Sequence, residues 1–151
     1  MRHTINIKIE DENRDFGKLF LITEMSADHG ESWAFRALLA LMRNNVNLPA
    51  GFENTGMAGL AEVGLKALTG LRWEDAKPLL EEMMQCVEII PDPSRPQVKR
   101  ALIESDIEEI TTRIRLRAEV WKLHTGFLKG GALSNSDAAR SPAKQSRSRN
   151  T

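Results

Sequence analysis

The stretch that decides the fold class is TINIKIE, at residues 4–10, in which isoleucine alternates with polar side chains. An alternation of period two is typical of a strand with one buried face. A polar link follows at residues 11–15, and the apolar run after it predicts a second strand within residues 17–23. Two strands joined by a short polar segment favour an N-terminal β-hairpin.

Outward from this hairpin, the spacing of apolar residues becomes helical. Ser26 is suited to cap a helix that runs to about Asn45, with Asp28 and Glu31 near its positive end. Apolar side chains between Trp33 and Met42 cover most of the circumference of this helix. Such a pattern is typical of a helix that is either central in a core or buried in an assembly.

Two further helices are predicted before the next strand. The first, at residues 57–68, is rich in alanine and glycine, which favours close packing, and Gly70 is expected to end it as the C′ residue. The second, at residues 73–87, has apolar side chains at helical spacing. We place Pro78 in the first turn of this helix, where a missing amide hydrogen is tolerated.

The last part of the chain predicts a short hairpin and a long helix. Residues 87–90 form a strand whose hairpin partner lies within residues 98–103, and SDIE, at residues 105–108, is a capping box that begins a helix to about Leu128. The apolar residues of this helix form one stripe of Ile107, Ile110, Ile114, Ala118, Trp121 and Leu128 and a second stripe of Leu116, Val120, Leu123 and Phe127. A single small core needs only one stripe, so we expect this helix also to meet another subunit.

This order of elements predicts an α+β fold dominated by helices. It consists of an N-terminal β-hairpin, three helices, a short β-hairpin and a long C-terminal helix, in a single domain over residues 1–128. Residues 129–151 contain five basic side chains and one acid among Ser, Ala, Gly and Asn. Because such a segment cannot bury enough apolar surface to offset its ordering entropy, we expect a disordered basic tail there.

Composition and charge exclude several classes of protein. The chain has 151 residues, 41% of them hydrophobic and 28% charged, with no net charge. These are the proportions of an ordinary globular domain. The single Cys86 excludes an internal disulfide and fits a reducing compartment. The first residues lead into a strand pattern rather than a signal peptide, and the longest apolar run is too short to cross a bilayer. We therefore expect a cytosolic domain outside the membrane.

No pattern of residues points to a catalytic, cofactor or metal site. The three histidines and Cys86 are scattered singly, without the short spacings that metal ligands need. The chain lacks GxSxG, GxGxxG and a phosphate-binding loop. Its adjacent acidic pairs lie on predicted helices, where neighbouring residues do not face each other. We therefore expect neither an enzyme nor a bound cofactor.

The basic side chains of the last helix allow two interpretations. Arg113 and Arg117 lie one turn apart on one face, where they could contact an acidic partner or RNA. A solvated face balanced by nearby glutamates is the favoured alternative. Nucleic-acid binding by the basic tail is disfavoured because the tail has no aromatic residue on which a base could stack.

Six segments of the chain carry a resemblance to a known family. They are GKLFLITEM (17–25), SWAFRALLAL (32–41), GMAGLAEVGLKAL (56–68), PLLEEMMQCV (78–87), IESDIEE (103–109) and RLRAEVWKLH (115–124). Together they resemble tail assembly chaperones of long-tailed bacteriophages and prophages. The resemblance covers about residues 14–128 and includes no catalytic motif.

The resemblance implies a function in virion morphogenesis. Such a chaperone forms homo-oligomers in the host bacterial cytoplasm, binds the tape measure protein, keeps it soluble and helps recruit tail tube subunits. It is absent from the mature virion. Many members are made in two lengths by programmed ribosomal frameshifting, and the longer form contacts the tail tube protein. A composition break at residues 129–131 is where such a switch could lie.

Other functions stay open beside this one. The first alternative is a structural minor tail or connector protein that remains in the virion. A small nucleic-acid-binding regulator that uses the basic tail is the second, and an enzyme of unknown type is the last.

We expect the surplus apolar surface of the last helix to serve self-association or client binding. The residues assigned to this contact are Leu116, Val120, Trp121, Leu123 and Phe127, with Arg113 and Arg117 at its rim.

Overall fold

A computed structural model describes residues 1–46 and 65–138 of the chain and shows an α+β fold. The strands in this part are β1 (Thr4–Lys8), β2 (Leu19–Thr23), β3 (Val87–Ile90) and β4 (Arg100–Ala101). Its α-helices are α1 (Ala27–Arg43), α2 (Trp73–Met84) and α3 (Ile110–Ala138). Short 3-10 helices at Leu65–Gly70 and Glu104–Asp106 precede α2 and α3. The predicted fold class is therefore confirmed.

The four strands form one antiparallel sheet in the order β1-β2-β3-β4. Ile5 of β1 lies opposite Ile22 of β2, while Phe20 of β2 lies opposite Ile89 of β3. The predicted N-terminal and C-terminal strand pairs are thus joined through β2 and β3 into a single sheet. This pairing places α1 and α2 in the connection between two neighbouring strands.

The core lies where the sheet meets the three helices. Its largest fully buried side chains are Ile9, Phe20, Ile22, Leu41, Met83, Leu116 and Val120. Trp33 of α1 is also buried, and its indole nitrogen donates a hydrogen bond of 3.0 Å to the carbonyl of Leu79 in α2. Burial of one large apolar side chain contributes about 1.5–3 kcal/mol, so these contacts account for much of the folding free energy.

The structure describes only the end of the small-residue helix that is predicted between α1 and α2. Residues 57–64 of the predicted small-residue helix lie outside the described part of the chain, and Leu65–Gly70 is a 3-10 helix. Gly70 is the last residue of this 3-10 helix rather than the C′ residue after it, and a close contact explains why glycine lies there. A Cβ atom at Gly70 would lie 2.8 Å from Cγ2 of Val46, closer than real Cβ contacts allow.

The boundaries of the later elements also shift. Pro78 lies in the second turn of α2 rather than the first, and α2 ends at Met84. The helix α3 begins at Ile110, after the capping box predicted at residues 105–108, and continues to Ala138, past the predicted boundary of the tail. Extension of an existing helix gains one hydrogen bond for each residue fixed, whereas a new helix must fix about three residues for its first hydrogen bond. Residues 139–151 lie outside the described part of the chain.

Candidate functional site

The residues predicted to form a contact surface on α3 divide between the core and the surface. Leu116 and Val120 are 0% and 1% exposed and belong to the hydrophobic core. The assignment of these two side chains to a partner-binding surface is therefore corrected. They lie within the core and cannot reach a partner while the domain is folded.

The remaining apolar members of that prediction are only partly accessible. Trp121 and Leu123 are partly buried against the core. The ring of Trp121 meets the buried ring of Trp33 edge-on, with centroids 6.0 Å apart. Such an edge-to-face pair stabilises the contact between α1 and α3. The side chain of Phe127 lies outside the described part of the chain.

Two members of the other stripe of α3 are exposed. Ile110 and Ile114 are exposed, as is Trp73 at the start of α2. Ile114 and Trp73 face a common groove of about 380 Å³. The groove lies between α2, α3 and the 3-10 helix at Leu65–Gly70. The remaining lining is mostly apolar and consists of Leu65, Leu68, Thr69, Leu71, Ala76, Leu80 and Arg117. We call this depression the α2–α3 groove.

The two predicted rim residues, Arg113 and Arg117, differ in their environments. Arg113 is exposed, whereas Arg117 is half-buried in the α2–α3 groove. Burial and the neighbouring charge of Arg113 lower the pKa of the Arg117 guanidinium. The buried Nε of Arg117 has no hydrogen-bond partner among the described residues.

Of the four glutamates expected to balance these arginines, which include Glu104, three pair with other cations. Glu109 accepts a hydrogen bond of 2.8 Å from Nε of Arg14. Glu119 lies 3.2 Å from Nζ of Lys122, and Glu108 lies 3.8 Å from Nζ of Lys18. Among residues 1–46 and 65–138, neither Arg113 nor Arg117 has an acidic partner. Arg113 is solvated, as the favoured interpretation expects, and Glu104 lines the same depression as Arg113. Arg117 departs from that interpretation because it is half-buried.

A second exposed apolar surface lies on α1. Phe35, Leu39 and Met42 are 51%, 62% and 53% exposed, and their spacing places them on one face. The opposite face of α1, which includes Ala37 and Leu41, is buried in the core. We call the three exposed side chains the α1 stripe. The sequence predicted that this helix is either central in the core or buried in an assembly. Because one face is exposed, α1 is not central in the core of the described part of the chain.

Ion pairs border the α1 stripe on the side of α2. Nη2 of Arg36 lies 2.8 Å from Oε2 of Glu82, and Arg43 forms an ion pair with Asp75. These pairs connect α1 to α2 and neutralise the arginines nearest the stripe. The α1 stripe is consequently an apolar surface with little net charge on this border.

A polar cluster around Asp15 is the feature that sequence analysis missed. The buried carboxylate of Asp15 accepts hydrogen bonds from Nζ of Lys18 at 2.8 Å and from the amides of Glu108 and Glu109 at 3.0 and 2.9 Å. Burial acts to raise the pKa of Asp15, but the hydrogen bonds outweigh it and lower the pKa to about 2. Asp15 therefore caps the chain just before α3 from a distant turn, and its role is structural.

The same cluster explains why the predicted capping box does not begin α3. A capping box would place the amide hydrogen of Glu108 on the hydroxyl of Ser105, but Asp15 accepts it instead at 3.0 Å. The carboxylate of Asp106 accepts the amide hydrogen of Ile103 at 2.7 Å. Asp106 is also held by two hydrogen bonds from Arg100, at 2.7 and 2.8 Å. These contacts stabilise the 3-10 helix at Glu104–Asp106. No local spacing could have revealed Asp15, because its amide donors are 93 and 94 residues away.

Two further properties concern the described residues as a whole. Within residues 1–46 and 65–138, no three His, Cys, Asp or Glu side chains are grouped as metal ligands. None of the helices in this part of the chain has the length and apolar character needed to cross a bilayer.

Comparison of the chain with protein-family models, with curated proteins and with solved structures gives no match. The functional argument therefore depends on the surfaces themselves, the α1 stripe and the α2–α3 groove.

Proposed function

We propose that this protein is a tail assembly chaperone of a long-tailed bacteriophage or prophage. In the host bacterial cytoplasm it binds the tape measure protein, keeps it soluble and helps recruit tail tube subunits, and it leaves before the virion is complete. The resemblance of six sequence segments suggests this function. The observation that carries it is the α1 stripe, an apolar helix face that the fold leaves exposed.

The α1 stripe suits a helical apolar client. Phe35, Leu39 and Met42 follow the spacing of one helix face, and a client helix can lay its own apolar face along them. Since each side chain is about half exposed, its burial would contribute about 1 kcal/mol. One such contact is weak and reversible. Several copies arrayed along one client would bind tightly through avidity and still release it stepwise.

Homo-oligomerisation belongs to this proposal and follows from the resemblance and from the need for avidity. A longer, frameshifted form that contacts the tail tube protein also belongs to it. The break in composition at residues 129–131 supports that part.

Co-expression with a candidate tape measure protein tests the proposal. We expect the tape measure protein to be soluble, and to co-purify, only when this chain is present. The substitution Phe35→Ser should reduce both readouts. Phe16→Ser is the matched control, because Phe16 is 62% exposed but lies in the turn between β1 and β2. An insoluble client without a complex for the wild-type chain would refute the proposal.

Mass spectrometry of purified particles separates this function from its alternative. A chaperone should be missing from mature virions. A structural minor tail or connector protein should be present in a fixed ratio to the tube subunit. Detection at such a ratio would replace the proposed function with the structural one.

A further inference from the structure

The α2–α3 groove is a second surface that shares no residue with the α1 stripe. Its lining combines apolar side chains from three elements with a single charged group. Leu68 precedes α2, Trp73 and Leu80 belong to α2, and Ile114 and Arg117 belong to α3. The groove volume of about 380 Å³ falls within the range of ligand-binding clefts.

Arg117 is the unusual residue of this groove. Its guanidinium always carries a charge and can only donate hydrogen bonds. The Nε atom is buried, yet it makes no hydrogen bond within the described part of the chain. Buried donors are satisfied in native proteins because an unmade hydrogen bond is costly. Within the described part of the chain, the Nε of Arg117 is therefore a buried donor without an acceptor.

Among the ion pairs of the described residues, Arg117 has no acidic partner, and Arg113 lines a different depression. Arg113 lies one turn before Arg117 and adds a second positive charge. The three acidic side chains closest to them in sequence on this segment are already paired: Glu108 with Lys18, Glu109 with Arg14 and Glu119 with Lys122. A carboxylate is the acceptor that best complements a guanidinium, since it can take two parallel hydrogen bonds.

The exposed groups of the groove are of the kind that anchor protein partners. Tryptophan and arginine are the residue types most enriched among side chains that dominate binding energy. Here Trp73 is exposed beside Ile114, and Arg117 lies in the same groove. A groove between elements of this kind receives the apolar face of an amphipathic helix.

We propose that the α2–α3 groove binds an amphipathic helix of a partner protein. The helix places a large apolar side chain against Trp73 and Ile114 and an aspartate or glutamate carboxylate against Arg117. Arg113 attracts further acidic residues at the rim. This site does not depend on the proposed chaperone function, because it rests on the groove and its unpaired guanidinium alone.

Peptide selection against the full chain tests this site. The probe is a display library of helix-favouring peptides of about four turns, randomised along one face. Selected peptides should combine leucine, phenylalanine or tryptophan with one acidic residue at helical spacing. Binding should change the fluorescence of Trp73 and should weaken at least about tenfold with Arg117→Met. Replacement of the peptide's glutamate by glutamine should have no further effect on that variant.

Arg115→Met is the matched control, because Arg115 lies on α3 but does not line the groove. It should leave peptide binding unchanged.

Arg117→Met should also raise the urea midpoint of unfolding, since it removes a buried donor without a partner. If Arg117 had a purely structural role, the same substitution would lower that midpoint. Selected peptides that lack an acid, or that bind Arg117→Met equally well, would overturn the proposal. The proposal would also be overturned if the chain self-associated through the groove, or if the selection yielded no peptide whose binding depends on Arg117.

Discussion

The carboxylate of Asp15 holds the segment before α3 against the turn between β1 and β2. It accepts the amide hydrogens of Glu108 and Glu109, and it is joined to Lys18 by a charged hydrogen bond. Arg14 extends the same contact by donating to the carbonyl of Glu108 at 2.9 Å. A single polar turn thus determines where the longest helix of the fold begins.

Substitution of Asp15 by Asn should destabilise the fold. The amide keeps the size of the carboxylate, but it cannot accept three hydrogen bonds and leaves the ammonium of Lys18 without its charged partner. We expect the free energy of unfolding at pH 7 to fall by about 2–3 kcal/mol, measured by urea denaturation. Asp11→Asn in the same turn is the control, because Asp11 is exposed. Equal effects of the two substitutions would contradict this role.

Acid should weaken the fold through the same group. The pKa of Asp15 is about 2 in the folded chain and 3.8 for the unperturbed group, so the unfolded chain binds the proton first. Its contribution of about 2 kcal/mol is complete above pH 4 and is lost as the pH falls towards 2. The pKa values of Asp106 and Glu109 are lowered in the same direction by Arg100 and Arg14.

Urea denaturation at a series of pH values measures this dependence. The wild-type chain should lose stability between pH 4 and pH 2, whereas Asp15→Asn should show a distinctly smaller loss over that window. Parallel curves for the two proteins would show that Asp15 does not carry the effect.

Between elements, the 3-10 helix at Leu65–Gly70 and the segment after α1 approach so closely that a side chain at position 70 would force its neighbour to shift. A Cβ atom on Gly70 would meet Cγ2 of Val46 at 2.8 Å. Gly70→Ala should therefore lower the free energy of unfolding by about 1–3 kcal/mol, the usual cost of overpacking. Val46→Ala removes the obstructing methyl groups, so the double variant should be more stable than the sum of the two single effects predicts. Strict additivity in this cycle would contradict the contact.

Sequence patterns correctly predicted the features that depend on contacts between residues close in sequence. The side chain of Ser26 accepts the amide hydrogen of His29 at 3.2 Å, as its place before an apolar helix indicated, and β3 spans the predicted residues. The start of α3 was predicted wrongly because it depends on Asp15, far away in sequence. Helical spacing revealed both apolar stripes of α3. It could not show that Leu116 faces the core, since that depends on which elements cover the helix.

Across the whole molecule, the core and the candidate contact surfaces are separate. The sheet and the inner faces of α1 and α3 share one core, while the α1 stripe and the α2–α3 groove face outward. Two surfaces on one small domain would allow it to contact two helical segments at once. Such bivalence suits a protein that must cover a long client, because each contact raises the effective concentration for the next.

Separate surfaces also mean that folding and association should respond to different substitutions. Val120→Glu would place an unpaired charge in the core, where Val120 is 1% exposed, and we expect it to abolish cooperative unfolding through a loss of more than about 3 kcal/mol. Leu39→Glu adds the same charge to the exposed α1 stripe and should keep the wild-type circular dichroism spectrum and urea midpoint, while client binding falls. The pair tests the division directly, because each variant introduces one glutamate into one helix. If Val120→Glu folded normally, the placement of α3 against the core would be wrong. A glutamate carboxylate buried against a client would cost more free energy than the leucine contributes. If Leu39→Glu folded normally and still bound the client fully, the α1 stripe would therefore not be the client-binding surface.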